Sequence, residues 1–234
     1  MKFLSIDTST PYSVVALCDE RRLIYGQRRL FEKGRSDGLL SLIAHCLHKA
    51  KTKPEKIDSF AVGIGPGSFT GLRIGLSTVK ALSYALAKPC YTFLSLDAIA
   101  FNPAPYKKER LCVVVDARRS NVYCRFYTLK NAGPARATEA MLVDIKTLEK
   151  NIESQSAGDL DMAFSGDGIP LCKEHLLKKT ENVQFVPKEF WYPEPESIAR
   201  LTAAQAKKNK PVDCFKVSAF YLYEQDCQVT RKCR

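Results

Sequence analysis

The sequence predicts an α/β protein of two lobes related by duplication, in which mixed sheets are flanked by helices. One pattern occurs twice: a buried strand, an aspartate at its carboxyl end, a tight turn and a returning strand. The first copy surrounds Asp7 and the second surrounds Asp116. Two such hairpins would present their carboxylates to a common cleft between the lobes. A chance match is the alternative, because strand, aspartate and turn is a simple pattern.

A glycine-rich segment is the second observation. Residues 63–75 hold five of the twelve glycines, between a strand-like apolar run and a long helical pattern. Glycine is favoured where the backbone has a positive φ or approaches another group closely. The spacing matches neither the dinucleotide-binding G-x-G-x-x-G pattern nor a Walker loop. It predicts a strand–turn–helix junction with Ser68 as the helix N-cap.

The first lobe is predicted to contain three strands, then helices and strands in alternation. Hydrophobic periodicity and the positions of Pro54 and Pro89 set their limits. The predicted strands are 2–7, 13–17, 23–30, 57–64 and 90–94, and the predicted helices are 36–50, 68–87 and 96–101. A proline-containing stretch at 102–105 indicates a boundary between an N-terminal lobe, 1–104, and a C-terminal lobe, 105–234.

The second lobe opens with the other aspartate hairpin. Its predicted strands are 111–116, 122–129, 138–143 and 162–165, and its predicted helices are 145–151 and 197–208. A Gly166-Asp167-Gly168 turn follows the fourth of these strands, and a proline-rich stretch precedes the last helix.

The composition is that of a globular protein, with 45% apolar and 26% charged residues. No apolar run reaches the roughly 18 residues that a membrane span needs, and the N-terminus lacks a signal-peptide core, so we expect a cytoplasmic protein without membrane contact. Nine cysteines are widely spaced, with no C-x-x-C pair. This favours reduced thiols over a disulfide framework or a zinc site.

The net charge of +11 favours an acidic partner, of which nucleic acid is the usual example. The basic residues are nevertheless scattered in pairs along the chain, as on an ordinary solvated surface. The charge is therefore compatible with an RNA partner without establishing one.

Four blocks resemble the bacterial TsaB (YeaZ) family, in the family's order and over nearly the whole chain. They are Ile6-Asp7-Thr8-Ser9-Thr10, the segment Gly65–Gly75, Val115-Asp116-Ala117-Arg118 with Val122-Tyr123, and Tyr221-Leu222. The resemblance implies the actin/sugar kinase/Hsp70-like (ASKHA) fold, in agreement with the duplication. It also implies a role in forming N6-threonylcarbamoyladenosine in tRNAs that read codons beginning with A. In that pathway TsaD is the catalytic paralogue, TsaE is an ATPase that joins the assembly, and ATP and tRNA are used by the complex.

ATP-binding proteins of this fold generally have glycine close after each lobe's aspartate, so that backbone N–H groups can surround phosphates. Here Thr8-Ser9-Thr10 follows Asp7, and Ala117-Arg118-Arg119 follows Asp116. We therefore expect Asp7 and Asp116 to be vestigial phosphate-turn positions in a chain with no catalytic residues and no cofactor of its own. His45, His48 and His175 lack the H-x-x-x-H pattern of the TsaD type, and no metal site is expected.

Two other functions are open. The chain could be a stand-alone ATP-dependent kinase or carbamoyltransferase of the same fold. It could also be a peptidase, since some relatives are described as glycoprotease-like, although no Ser/His/Asp or zinc arrangement supports that activity.

The helices 36–50 and 68–87 carry more apolar and small residues than contact with one sheet requires. We expect an intermolecular helical bundle, and the resemblance implies that its partner is the TsaD-type paralogue, or a second copy in a homodimer when the chain is isolated. The predicted contact residues are Leu39, Ile43, Leu47, Gly71, Gly75 and Val79. Gly75→Leu should abolish the heterodimer and leave the monomer folded. The alternative is that both helix faces are buried within the lobe.

Overall fold

Two mixed β-sheets organise the chain in the computed structural model, which describes residues 1–30, 38–130, 133–156, 161–179 and 182–222. The first sheet contains β1 (Lys2–Asp7), β2 (Tyr12–Asp19), β3 (Leu23–Leu30), β4 (Ser59–Gly63) and β5 (Cys90–Phe93). Its strand order is β3-β2-β1-β4-β5. The first three strands are antiparallel, whereas β4 and β5 run parallel to β1.

The second sheet repeats this arrangement. It contains β6 (Arg110–Arg118), β7 (Asn121–Lys130), β8 (Gly133–Arg136), β9 (Met141–Asp144), β10 (Met162–Ser165) and β11 (Val183–Phe185). The order is β11-β10-β6-β7-β8, with β9 also paired to β7, and β10 and β11 are parallel to β6. The same strand order in both sheets confirms the predicted duplication and the two-lobed ASKHA-type fold.

Helices cover both faces of each sheet. They are α1 (Gly38–Lys49), α2 (Phe69–Ala85), α3 (Ser95–Ala100), α4 (Ile145–Ser156), α5 (Ile169–Lys179) and α6 (Pro195–Lys208). The predicted start of the first helix at residue 36 lies outside the described residues. Within the described ranges, no helix combines the length and apolar character needed to cross a bilayer.

The core follows from the alternation of side chains along the strands. In β1, Leu4 and Ile6 point toward α1 and α2, whereas Phe3 points toward α6 on the opposite face. Because both faces are covered, every β1 residue after Lys2 is buried, and the interior polar residue Ser5 is hydrogen-bonded to the Thr202 hydroxyl at 2.8 Å. Cysteines fill core positions in both lobes, and burial raises the pKa of the Cys18 and Cys124 thiols to about 12.

Each lobe sends one helix across to the other. The helix α3, from the first half of the chain, packs on β6 and β7, while α6, from the second half, packs on the first sheet. Asn102, just after α3, is hydrogen-bonded to the chain just before α6. Its Nδ2 donates to the carbonyl oxygens of Phe190 and Tyr192, both at 2.8 Å. Its Oδ1 accepts from the N–H of Glu194 at 3.1 Å. The division at 104/105 remains a prediction, and these helices show how closely the lobes are connected.

Among the strands and α-helices of the described residues, three were not predicted. β8 has the sequence Gly-Pro-Ala-Arg, which reads as a turn, yet proline is compatible with an edge strand. β11 has only three residues and therefore carries little periodic signal. For α5 a signal was present, since Ile169, Cys172 and Leu176 recur at helical spacing and are all buried.

Candidate functional site

Asp7, at the carboxyl end of β1, is fully buried and hydrogen-bonded by its own chain. Its Oδ1 accepts from the backbone N–H of Ser9 at 2.9 Å and from the Ser9 hydroxyl at 2.7 Å. Its Oδ2 accepts from the Ser95 hydroxyl at 2.7 Å, and a Cβ on Gly63 would lie 2.0 Å from the same oxygen. Burial raises the pKa of the Asp7 carboxyl, and the serine hydrogen bonds oppose that shift. This enclosed carboxylate has no open side for a metal ion or a phosphate.

The glycine-rich segment packs closely against the turn that follows Asp7. A Cβ on Gly67 would lie 2.3 Å from the Ser9 carbonyl oxygen, and one on Gly71 would lie 2.0 Å from that of Thr8. The N–H of Ser68 donates to the Ser9 carbonyl at 2.7 Å. Ser68 also caps α2 by accepting from the Gly71 N–H at 3.2 Å, which confirms the predicted N-cap. The glycines therefore allow the start of α2 to cover the first hairpin.

The second hairpin is bulky and charged. Asp116 accepts from the backbone N–H of Arg118 at 2.7 Å, and its other oxygen pairs with the Arg118 guanidinium at 3.2 Å. Arg118, Arg119 and Ser120 have φ values of 67°, 53° and 60°. Three successive non-glycine residues in the left-handed region cost about 1–2 kcal/mol each. The turn thus has the conformation that favours glycine but carries two arginines.

The Gly166-Asp167-Gly168 turn supports this second hairpin. Asp167 Oδ1 accepts from the backbone N–H of Asp116 at 3.0 Å. Gly166 has a φ of 114°, and a Cβ there would lie 2.0 Å from the Val114 carbonyl oxygen. Burial raises the pKa of the Asp167 carboxyl, whereas the hydrogen bond from Asp116 lowers it. Close packing on β6 accounts for the glycines at this position.

An aromatic and ionic cluster joins the first sheet to the chain that precedes α6. The rings of Tyr12 and Tyr192 are 4.9 Å apart, and the Arg28 guanidinium lies 4.8 Å from the Tyr12 ring centre. Arg28 also forms an ion pair with Glu194. Burial raises the pKa of the Tyr192 hydroxyl, and the negative charge of Asp167 raises it further. The cluster therefore links β2 and β3 to the turn of the second lobe.

Asp97 on α3 is the centre of a second connection between the lobes. Its Oδ1 accepts from Arg125 Nη1 at 3.1 Å and from the Tyr127 hydroxyl at 2.8 Å, and its Oδ2 accepts from Arg136 Nε at 3.1 Å. Arg125 is only 1% exposed, so its charge is neutralised inside the protein. We did not predict this cluster. A charged residue within an otherwise apolar run, as at Asp97 and Arg125, was the available signal.

The six residues predicted to contact a partner face the interior of their own lobe. Leu39, Ile43, Leu47 and Val79 are buried between the helices and the first sheet. Their contact with a partner remains a prediction, and in the monomer they match the alternative of helix faces buried within the lobe. The apolar width of α1 reflects its cover of β2 and β3.

Gly75 requires a correction to the proposed test. A Cβ at Gly75 would lie 2.3 Å from Thr8 Oγ1, and one at Gly71 would meet the Thr8 carbonyl. Gly75→Leu would therefore force α2 away from the first hairpin and damage the monomer. Loss of a heterodimer in that variant would not report on the interface.

The opposite sides of α1 and α2 are exposed. On α2, Phe69 and Tyr84 stand at the two ends, with Ser77 and Ala81 exposed between them. On α1, Leu40 is 58% exposed. We call this side of α1 and α2, together with residues 211–222 that lie beside α2, the outer face.

Residues 211–222 extend the outer face with two further aromatic rings. Phe215 contacts Tyr84 with ring centres 5.4 Å apart, and Tyr221 contacts Phe69 at the same distance. The N–H of Phe220 donates to the Ile64 carbonyl at 2.8 Å and fixes this segment beside the glycine-rich junction. The predicted Tyr221-Leu222 block thus lies next to the start of α2.

The three histidines lie in separate surroundings. His45 contacts the Tyr25 ring, His175 Nδ1 lies 3.0 Å from a Glu149 oxygen, and His48 is exposed. In the described part of the chain, no three His, Cys, Asp or Glu side chains are grouped so that they could hold a metal ion.

Comparison with known proteins gives consistent matches. A family model described as "TsaD: tRNA N6-adenosine threonylcarbamoyltransferase" matches residues 29–224. The chain is 26% identical to the tRNA threonylcarbamoyladenosine biosynthesis protein TsaB of Buchnera aphidicola over 215 residues, 91% of this chain and 98% of the relative. It is 31% identical to the TsaB of Bacillus subtilis over 131 residues, 56% of this chain and 57% of the relative.

A solved structure of YeaZ from Pseudomonas aeruginosa superimposes with a TM-score of 0.77 at 23% identity. The superposition covers 94% of this chain and 99% of that one. At this identity the likeness shows a shared fold.

Proposed function

Because the chain belongs to the TsaB (YeaZ) members of the tRNA N6-adenosine threonylcarbamoyltransferase (TsaD) family, we propose that it takes part in tRNA threonylcarbamoyladenosine biosynthesis as a non-catalytic subunit. In this role it pairs with the TsaD-type catalytic paralogue and supports the active arrangement of that subunit. The TsaE-type ATPase and the tRNA act through the complex, which is where ATP is consumed.

The enclosed carboxylate of Asp7 carries the non-catalytic part of this proposal. A magnesium–nucleotide complex needs an accessible carboxylate and free backbone N–H groups at this turn. In this chain the Ser9 N–H and the hydroxyls of Ser9 and Ser95 are already bonded to Asp7. The start of α2 covers the same turn. Nucleotide binding would therefore require the first hairpin to separate from α2.

The connections between the lobes support a bracing role. Enzymes of two-lobed folds commonly close around their substrates by hinge motion. Here α3 and α6 each pack on the sheet of the other lobe. The buried Asp97–Arg125 pair connects α3 to β7, and the Asn102 hydrogen bonds connect the end of α3 to the chain before α6. Two lobes connected in this way suit a subunit that supplies a rigid surface to its partner.

Calorimetry with Mg-ATP tests the non-catalytic part directly. The isolated chain should bind Mg-ATP no more tightly than about 1 mM, whereas a stand-alone kinase or carbamoyltransferase should bind at micromolar concentrations. Micromolar binding by the isolated chain would contradict the proposal.

Depletion and reconstitution test the pathway. Depleting the chain in its native organism should lower threonylcarbamoyladenosine in the tRNA nucleosides, and the wild-type chain should restore it. Asp116→Ala should restore it equally, since the proposal gives Asp116 no chemical role. Unchanged nucleoside content after depletion would remove the proposed function.

A further inference from the structure

A cavity lies at the outer edge of the first sheet, between β5, the end of α6 and β8 of the second sheet. Its volume is about 370 Å³, which is in the range of sites for small molecules. Tyr91 and Phe93 line it from β5, Gln205 lines it from α6, and Arg136 lines it from β8. None of the described residues that line the cavity belongs to α1 or α2. The cavity is therefore separate from those two helices.

The cavity begins where the pairing of two chain segments stops. Val212 forms an isolated antiparallel bridge with Cys90, and its N–H donates to the Cys90 carbonyl at 2.7 Å. If this pairing continued, Lys210 would lie opposite Thr92, two residues further along each segment. Instead, Thr92 and Lys210 both line the cavity. The cavity therefore takes the place of the next strand pair.

Thr92 directs its backbone N–H and C=O toward this gap. The carbonyls of Pro89 and Phe93 accept from the N–H groups of Phe60 and Ile64 on the β4 side. Because backbone groups alternate along a strand, those of Thr92 point to the outer edge. Within the described residues, neither group has a partner on that side. A donor and an acceptor side by side on a strand edge are the pattern that pairs with the amide group of an extended molecule.

The cavity also carries positive charge. Arg136 and Lys210 line it, and none of its described lining residues is acidic. Arg136 contacts Asp97, but the same carboxylate neutralises the buried Arg125. The other carboxylate near Arg125 belongs to Glu139, which is 93% exposed and therefore screened by water. The Arg136 Nε and Nη2 donate to Asp97, and its Nη1 has no partner in the described part of the chain.

The end of α6 does not cancel this charge. The carboxyl end of a helix has a partial negative charge. Lys207 and Lys208 lie in the last turn of α6, and Lys210 follows them. The Asn209 N–H donates to the Gln205 carbonyl at 2.8 Å, so one of the terminal carbonyls is already satisfied. An anion in the cavity is therefore attracted by cations from both lobes.

The floor of the cavity is apolar and well packed. Tyr91 and Phe93 are buried, and the Tyr91 ring packs edge-on against Phe3 with ring centres 6.2 Å apart. Val212, which is 41% exposed, lines the rim. A ligand with a short apolar side chain would cover these groups and gain from their burial.

We propose that this cavity binds an N-acylated amino acid through its amide group and its carboxylate. The amide pairs with the N–H and C=O of Thr92, the carboxylate lies between Arg136 and Lys210, and the side chain packs on Tyr91 and Phe93. A free small molecule and the C-terminal residue of a peptide have this same chemistry.

A series of small ligands tests the assignment without changing the protein. In an NMR titration of the full isotope-labelled chain at low salt, N-acetyl-leucine should bind with a Kd of about 1 mM or tighter. The amide resonance of Thr92 should be among those that shift. N-acetyl-leucinamide lacks the charge, and isocaproate lacks the amide group, so each should bind about tenfold more weakly. Equal binding of the three ligands would overturn the assignment.

Two lysines provide matched variants. Lys210→Glu should weaken binding of N-acetyl-leucine by about tenfold, because it replaces an attraction with a repulsion at the carboxylate. Lys208→Glu makes the same change of charge at an exposed residue that does not line the cavity, and it should stay within about threefold of wild type. Thermal unfolding verifies that both variants are folded. Equal losses in the two variants would show attraction by overall charge and would overturn the site.

A peptide distinguishes the two sources of the ligand. Acetyl-Ala-Val-Leu with a free carboxylate has further amide groups that can extend along the edge of β5. Binding at least about tenfold tighter than that of N-acetyl-leucine would assign the cavity to a peptide terminus, and a smaller difference would assign it to a free small molecule.

The titration uses the chain alone, so its result is independent of the function proposed above. Absence of resonance shifts with N-acetyl-leucine and with the peptide at concentrations up to about 10 mM would overturn the inference. Shifts confined to residues outside the cavity would overturn it as well.

Discussion

Individual carboxylates in this molecule have different roles that their surroundings determine. Asp7 is enclosed by serine hydroxyls, Asp97 neutralises a buried arginine, and Asp116 stabilises a hairpin turn. Desolvation raises the cost of a charge unless hydrogen bonds or a counter-ion offset it. Asp7 has only neutral donors, whereas Asp97 has two guanidinium groups. The same residue type is therefore a source of pH dependence in one place and of a connection between lobes in the other.

Asp7→Asn should change how stability depends on pH. The pKa of Asp7 is raised in the folded protein, so the folded state holds this proton to a higher pH than the unfolded state. The stability contributed by the protonated group is full below the unfolded pKa and is lost as pH rises through the folded pKa. Urea denaturation near pH 4 and pH 7 gives the free energy of unfolding of both proteins. The difference, Asp7→Asn minus wild type, should be more positive near pH 7 than near pH 4. The opposite trend would contradict the raised pKa.

Asp97→Ala should destabilise the protein strongly. It leaves the Arg125 charge buried without its carboxylate, and breaking a buried pair in this way costs about 3–5 kcal/mol. Glu139→Ala is the control, because Glu139 contacts the same arginine at 3.4 Å but is 93% exposed. An exposed partner of this kind contributes about 0–1 kcal/mol. Equal losses in the free energy of unfolding for both variants would refute the distinction.

Among the elements, α1 and α2 show how packing and helix ends are combined. Both helices end in a Schellman arrangement: Thr52 N–H donates to the Leu47 carbonyl, and Lys88 N–H donates to that of Ser83. The left-handed residue that this motif requires is usually glycine. Here it is Lys51 with φ of 48° and Ala87 with φ of 50°. The ends of both helices therefore retain local strain.

Ala87→Gly should stabilise the protein. Glycine removes the penalty of about 1–2 kcal/mol that an L-residue has in this conformation. Because glycine also makes the unfolded chain more flexible, part of this stabilisation is cancelled, and the net gain should be up to about 1 kcal/mol. Ala81→Gly, in the exposed middle of the same helix, should instead cost about 1 kcal/mol. Chemical denaturation of both variants measures the difference. A destabilised Ala87→Gly variant would show that strain at this position is absent.

At the scale of the whole molecule, the two lobes are copies whose inner helices have been exchanged. In each lobe two helices cover the outward side of the sheet, α1 and α2 in the first and α4 and α5 in the second. The inner helices α3 and α6 each pack on the sheet of the other lobe. Because α3 and α6 also contact each other, the exchange makes the junction between the two sheets part of the core.

Adjacent leucines on α1 separate folding from assembly. Leu39 is 4% exposed and Leu40 is 58% exposed. Leu39→Ala should cost about 2–5 kcal/mol of stability, because it opens a cavity under the helix. Leu40→Ala should change stability by less than about 0.5 kcal/mol and weaken binding to the TsaD-type paralogue. Calorimetry and urea denaturation measure the two effects. Unchanged binding by Leu40→Ala would exclude this part of the outer face from the interface.

The sequence by itself determined the duplication with its two aspartates, the strand–turn–helix junction at the glycines, and the order of the strands and helices apart from β8, β11 and α5. These features depend on local periodicity and turn chemistry, which neighbouring residues specify. Only the tertiary structure decided that Leu39 and Val79 face inward, that Ser95 encloses Asp7, and that Asp97 meets Arg125. The spacing of apolar residues along a helix does not show whether they pack on the sheet of the same lobe or contact another protein. Contacts such as Asp7–Ser95 join residues far apart in the chain, and folding alone brings them together.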